Sequence, residues 1–244
     1  MIDIKSNSMQ KIKPLIVSLL FIAAGVTFSW YVVNNPTDRI VSGYVSYEKI
    51  VQMLYQHMYM VGVSLSLAII TSVPIGIILT RNKFRHISSI VLNIVNIGQT
   101  IPSLAVIALF VGVLGIGIKS AIFALWVYSL LPILSNTIVG IDSVDSSVIE
   151  AARGMGMSPT KILLKVELPL SLSIIIAGIR TALIVNIGNA ILGAFVGAGG
   201  FGELIISGNS ISRIQMVALG ASIPVLMAIL ADYLFGLLED YLIV

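Results

Sequence analysis

Two glycine-rich stretches carry the spacing of nucleotide-handling loops. Gly197, Gly199 and Gly202 in GAGGFG fit G-x-G-x-x-G, and GVLGIGIKS, residues 112–120, approaches a phosphate-binding loop. The first pattern needs a strand before it, a helix after it and an acidic residue about 20 positions on, so that a helix N-terminus receives pyrophosphate. Here a long apolar run precedes it, which favours an outer turn or gate segment. The second pattern needs glycine directly before lysine, and Ile118 occupies that place. The chain therefore has no loop of the usual kind for ATP hydrolysis. His57 and His86 are the only histidines and fall at opposite ends of apolar spans, so they make no metal pair. Neither H-E-x-x-H nor G-x-S-x-G occurs, and there is no cysteine, which excludes thiol catalysis and Cys-ligated metals. We expect no catalytic, metal-binding or cofactor-binding residue in this chain. Nor does a basic patch with interleaved aromatics suggest nucleic acid.

The elements that would hold any site are set by composition. Of 244 residues 57% are hydrophobic and only 10% charged, and mean hydropathy is +1.05. Soluble domains carry about 25% charged residues. This surface is suited to lipid, and the expected fold is all-α and polytopic. Six apolar segments approach the ~20 residues a span needs: roughly 15–33, 58–80, 87–114, 120–141, 168–195 and 214–238. Pro74, Pro102, Pro132 and Pro224 lie inside four of them. Each proline removes a donor and frees the carbonyl four residues earlier, and lipid cannot satisfy that carbonyl. The pattern points to a packed bundle lining a passage.

Positive charge gives orientation. With the N-terminus inside, the inner segments hold Lys5, Lys11, Lys13, Arg81, Lys83, Arg85, Arg153, Lys161 and Lys165, against Arg39, Lys49, Lys119 and Arg213 outside. Both termini are expected to be cytoplasmic. The first span reads as a retained helix, because its run exceeds a signal peptide's and no A-x-A site follows. The connection from Asn34 to His57, with Tyr44, Tyr47, Tyr55 and Tyr59 nearby, reads as an interfacial amphipathic stretch or a loop.

One inner segment is polar: IEAARGMGMSPTKILLKVELP, residues 149–169. Asp145, Ser146 and Ser147 are good N-caps, and Ser147 with Glu150 has capping-box spacing. Gly154 and Gly156 allow the chain to turn. Ser158 and Pro159 can start a second helix, placing Ile162, Leu163 and Val166 near one face as a docking surface. Leu168 and Pro169 would end it. These residues alone leave two readings open, an interfacial connector or a docking knob.

Glu150-Ala151-Ala152, Gly156 and Val166-Glu167-Leu168-Pro169 resemble the cytoplasmic signature of ABC importer permeases, with Val166 where isoleucine is usual. A wider resemblance covers about residues 57–240, through GQTIPSLAVIAL, YSLLPILSNTIVGI, EAARGMGMS, VELPLSLSIIIAGIRTALIVNIGNA and GAGGFGELI. These stretches look like osmoprotectant permeases for glycine betaine, choline or carnitine. Methionine permeases share the core fold, and an ATPase-independent channel is the reading from another class.

The resemblance implies a methionine-importer-like core in a bacterial or archaeal plasma membrane. It implies an N-terminal helix and outer connection over 1–56, a permease domain over 57–244 and a coupling segment over 145–168. Glu150, Ala151, Ala152, Gly156, Ser158, Leu168 and Pro169 would serve ATPase coupling. The expected partners are two ATPase subunits carrying ATP and Mg²⁺, a second permease chain, a separate extracytoplasmic solute-binding protein and membrane lipid. No cofactor is expected in this chain.

The passage is sought where helices break. Gln99, Thr100, Pro102 and Ser103 interrupt the third span, and they line or gate a pathway or form a satisfied kink. Arg180 falls within a span, where a charge costs at least ~2.5–3.5 kcal/mol. Asp142 and Asp232 are its candidate partners, in a structural pair or a gate. Asn186 and Asn189 extend a polar track on the same span or bond between helices.

Overall fold

The computed structural model describes residues 4–242, with side chains from residue 18 onward except at 240 and 242. The side chains of Lys5, Lys11 and Lys13 lie outside the described residues. The described chain is helical: α1 (Ile4–Asn34), α2 (Arg39–Tyr44), α3 (Tyr47–Leu79), α4 (Arg85–Thr100), α5 (Ser103–Leu114), α6 (Ile118–Asp142), α7 (Ser146–Gly154), α8 (Pro159–Ile162), α9 (Leu168–Asn189), α10 (Gly202–Ser210) and α11 (Ile214–Leu242).

Among the described residues four helical stretches are long and apolar enough to cross a membrane: Tyr47–Leu79, Ile118–Asp142, Pro159–Val196 and Ile214–Glu239. The pair α4–α5 is a fifth, bent by 96° at its break. Helix α1 stands in the sixth position, and its described apolar part is the shorter Ser18–Asn34. Helix α6 sits at the centre, packed by α3, α9, α5 and α4. Helix α11 lies against α9, α10 and α1.

The α4–α5 pair crosses as one span. Ile87, Val91 and Val95 of α4 pack with Leu134 and Ile138 near the end of α6. Ser120, near the start of α6, bonds the carbonyls of Phe110 and Gly115 beyond the break. The chain thus travels antiparallel to α6 from one end to the other. The starts of α4 and α9 and the ends of α3 and α6 share one end of the bundle.

Three local expectations are corrected. The connection from Asn34 to His57 is largely helix: Ser46 accepts from the Lys49 amide, and α3 runs unbroken from Tyr47, so residues 56 and 57 fall inside it. At about 1.5 Å per residue α3 is longer than the ~30 Å hydrocarbon layer, so one end projects. The proposed capping box is not used. Asp145 caps α7 through the Ser147 amide, two residues before the position a Ser147 cap would take. Finally, Pro169 does not stop a helix. A π-helical turn, Leu163–Glu167, joins α8 to α9, and the Leu168 amide reaches back to the Leu163 carbonyl. The wider turn absorbs the mismatch just where Pro169 has no amide to offer.

Close helix approach comes from small residues, as in membrane bundles generally. A Cβ on Gly178 of α9 would lie 2.6 Å from the Asn136 Cβ and 2.7 Å from the Pro132 carbonyl oxygen. At the bundle end remote from α7, Val32, Val41, Val45, Met53, Phe201, Leu204, Met216 and Leu219 form a separate apolar cluster. Asp38 accepts from Arg213 at 2.6 Å beside it and caps α2 through the Val41 amide. That amide bond leads the effects holding its carboxyl below the ordinary value.

Candidate functional site

Three polar regions stand out in the bundle. The first is the hairpin of α7 and α8. Gly156 turns the chain with φ +77°. Its amide bonds the Arg153 carbonyl, and the Met157 amide reaches the Ala152 carbonyl, which is the glycine-dependent helix stop expected from the sequence. Ser158 caps α8 through the Lys161 amide at 3.4 Å. Glu150, Ala151, Gly156 and Ser158 are exposed, with Met155 and Leu164 beside them. Ala152 and Ile162 are buried, and Leu163 and Val166 are partly covered. The apolar face expected to dock therefore packs mostly on the chain itself, because these residues seat the hairpin on the spans. Leu168 and Pro169 stand at the base, where the π turn enters α9.

Two ion pairs hold this base. Arg81 at the end of α3 meets Glu167 at 2.7 Å, and Glu167 is only 7% exposed. Arg85 at the start of α4 meets Asp142 at the end of α6 at 3.4 Å. Arg81, Arg85, Asp142, Arg153 and Glu167 line a cleft between the hairpin and the spans.

The second region is the broken span. The backbone at Ile101 is extended, φ −73° and ψ 130°, as a residue before proline prefers. Gln99 donates to the Tyr128 carbonyl at 2.6 Å. That carbonyl lies four residues before Pro132 and is the one this proline frees. The Tyr128 hydroxyl in turn donates to the Ile101 carbonyl. The break in one span and the proline in the next are satisfied by each other. Gln99 thus turns toward α6, while Thr100 is exposed and bonds its own helix at the Ile97 carbonyl. Pro102 is exposed and Ser103 begins α5, half-buried.

The third region is a charged cluster between α9 and α11. Arg180 donates to Asp232 at 2.6 Å and to Glu239 at 2.8 Å. Asp232 and Glu239 stand about two turns apart on one face of α11, and Gly236 between them leaves room for the guanidinium. Of the two expected partners, Asp232 is found and Asp142 is not, being held by Arg85. Asn186 is buried and donates to Ser64 of α3 at 3.0 Å, while Asn189 is half-exposed.

The glycine turn at the remote end is packed. Ala198 through Gly202 are buried, and Gly200 donates its amide to Gln56 at 2.9 Å. His57 bonds the Ile187 carbonyl at 3.0 Å beneath it.

Sequence reading missed Tyr128, Glu239 and both ion pairs at the hairpin base. Tyr128 had a signal, its place four residues before Pro132. Glu239 had one as well, seven residues after Asp232 on an otherwise apolar helix.

The description that matches residues 72–243 is binding-protein-dependent transport system inner membrane component. The glycine betaine/carnitine/choline transport system permease protein OpuCD of Bacillus subtilis is 41% identical over 191 residues, 78% of this chain and 82% of that one. The osmoprotectant import permease protein OsmW of Salmonella typhimurium is 39% identical, covering 77% and 88% respectively. An inward-facing structure of the MetNI methionine ABC transporter matches with TM-score 0.70 at 24% identity, covering 79% of this chain and 95% of that one. It shows the shared fold. The chain is a multi-pass membrane protein and belongs to the family of inner membrane components of binding-protein-dependent transport systems.

Proposed function

We propose that the chain forms the membrane passage of an importer for a quaternary ammonium osmoprotectant such as glycine betaine, choline or carnitine. The solute follows from the names of the relatives, among them the choline permease OpuBD of Bacillus subtilis, 41% identical over 75% of this chain. The transport mechanism rests on one observation above all: an exposed helical hairpin stands where α3, α4, α6 and α9 converge.

In this reading the hairpin faces the cytoplasm, as do both termini. Glu150, Ala151, Gly156 and Ser158 meet one of two ATPase subunits, which carry the ATP and Mg²⁺. This chain contributes no cofactor and no ATPase site. Ala152, Leu168 and Pro169 seat the hairpin against the spans. A displacement of the hairpin reaches α3 through Glu167 and Arg81. It reaches α4 and α6 at their own ends through the neighbouring Arg85–Asp142 pair. The break at Ile101–Pro102 lets α4 tilt without carrying α5 with it. A second permease chain completes the passage, and an extracytoplasmic binding protein delivers solute at the remote end. Arg180 with Asp232 and Glu239 fixes α11 to α9 while the other helices move.

The test is uptake by proteoliposomes holding the assembled complex and its binding protein. ATP-dependent accumulation of a labelled osmoprotectant, unaffected by excess methionine, is expected. Accumulation of methionine instead, or solute flux from this chain alone without ATP, contradicts the proposal.

A further inference from the structure

Helix α4 has three different faces. Phe84, Ile87, Val91, Leu92 and Val95 pack toward α3 and α6. Ile90, Ile94, Ile97 and Ile101 form an exposed apolar row. Between these faces stand Ser89, Asn93, Asn96 and Thr100, all exposed. Spacings of four, three and four residues place them within about 60° of arc, on a stripe about 16 Å long. That is over half the ~30 Å hydrocarbon layer.

Lipid does not accept such a stripe. An amide without a partner in an apolar medium costs roughly 2–7 kcal/mol, depending on the reference state. Two polar side chains nearby bond within the protein, Gln99 to Tyr128 and Thr100 to Ile97. The amides of Asn93 and Asn96 have no partner among the described residues. The exposed row of isoleucines beside them is the face suited to lipid, so the two rows look onto different surroundings.

We infer that Ser89, Asn93, Asn96 and Thr100 form the track along which the solute passes, which rests on the transport reading above. Its chemistry suits a zwitterion or a methylated cation. A quaternary ammonium has no N–H to donate and is met by the partial negative charge of amide and hydroxyl oxygens. A carboxylate accepts from the amide NH₂ groups. The stripe carries no ionised group that would hold either charge in place.

The chain has no native cysteine, so single cysteines report directly. In proteoliposomes holding the complete complex, Asn93→Cys and Asn96→Cys are treated with a charged, membrane-impermeant thiol reagent. Ile94→Cys on the apolar row is the control. The two stripe positions are expected to react about tenfold faster or more than the control, because a thiol facing water ionises and one facing lipid does not. The osmoprotectant that the unsubstituted complex accumulates is expected to slow that reaction. Stripe positions no faster than Ile94→Cys, before and after ATP addition, overturn the track, including the case where the asparagines bond to a second copy. Fast labelling that a transported solute leaves unchanged also overturns it. Should the unsubstituted complex accumulate no osmoprotectant, the solute assignment fails, and the labelling ratio still decides the track.

Discussion

Helices α6 and α4–α5 each meet a proline, with opposite results. Pro132 leaves α6 continuous over Ile118–Asp142, whereas Pro102 coincides with a 96° bend. The residue is the same, so its surroundings decide. Helix α6 is splinted by α3, α9, α5 and α4, and its freed carbonyl accepts from Gln99. The α4–α5 span packs on one side, and much of its remaining surface is exposed. A proline in a membrane helix is thus a kink, a break or neither, according to what satisfies the carbonyl it frees. Gln99 and Tyr128 tie the two cases together, since each helix supplies what the other lacks.

The largest way to break this contrast is through packing. Gly178→Leu drives a side chain into Asn136 and the Pro132 carbonyl. It should destabilise the bundle by about 3 kcal/mol or more, seen as loss of folded chain in detergent. Gly98→Leu on the open helix has nothing within 4 Å of its added Cβ and should stay within about 1 kcal/mol of the parent. Equal effects would remove the distinction between splinted and open helices.

The next test concerns the shared carbonyl. Gln99→Leu should cost about 1–3 kcal/mol by orphaning the Tyr128 oxygen. In a Pro132→Ala background the restored amide can take that oxygen, and the cost of Gln99→Leu should fall toward zero. Urea titrations of the four proteins close the cycle. Additivity would show that Gln99 does not serve the proline.

The hairpin turn sharpens the contrast with a glycine in place of a proline. Gly156→Ala places a Cβ at φ +77°, at a cost of roughly 1–2 kcal/mol. Asparagine tolerates this region. If the turn is what coupling requires, Gly156→Asn should retain more uptake per ATP than Gly156→Ala. Equal loss in both points to a requirement for bare space at the partner surface.

The smallest effect is electrostatic. The Ser147 amide, bonded to Asp145, holds that carboxyl below its ordinary value. A folded pKa below the unfolded one favours the capped helix at all pH above the unfolded value, and the contribution disappears as pH falls through the folded one. ATPase stimulation should weaken slightly over that acidic interval, and Asp145→Asn should flatten the dependence.

What could be read from the sequence divides along the same physical line. Local chemistry was legible: the Ser158 cap, the Gly156 stop and the interruption at GQTIPS each depend on neighbours in the chain. The side on which Gln99 would lie was not, because its partner is 29 residues away on another helix. Arg180 announced a need for carboxylates and Asp232 answered it, while Glu239 depended on the register of α11 against α9. Likewise Ile162, Leu163 and Val166 were legible as one apolar face, expected to dock on a partner. That they cover the hairpin's own base, leaving other residues for a partner, depends on tertiary packing.

The central claim is that this chain receives its energy through the hairpin of α7 and α8. The direct measurement is site-directed cross-linking in the cysteine-free chain, within the complex that supports uptake. Cysteines at Ala151, Met155 and Ser158 are expected to cross-link to the ATPase subunit, with yields that change when ATP is added. A cysteine at Ile116, exposed at the remote end, is expected to give none. Uptake driven by ATP with no cross-link at any hairpin position, or with Ile116 the reactive site, would contradict the account.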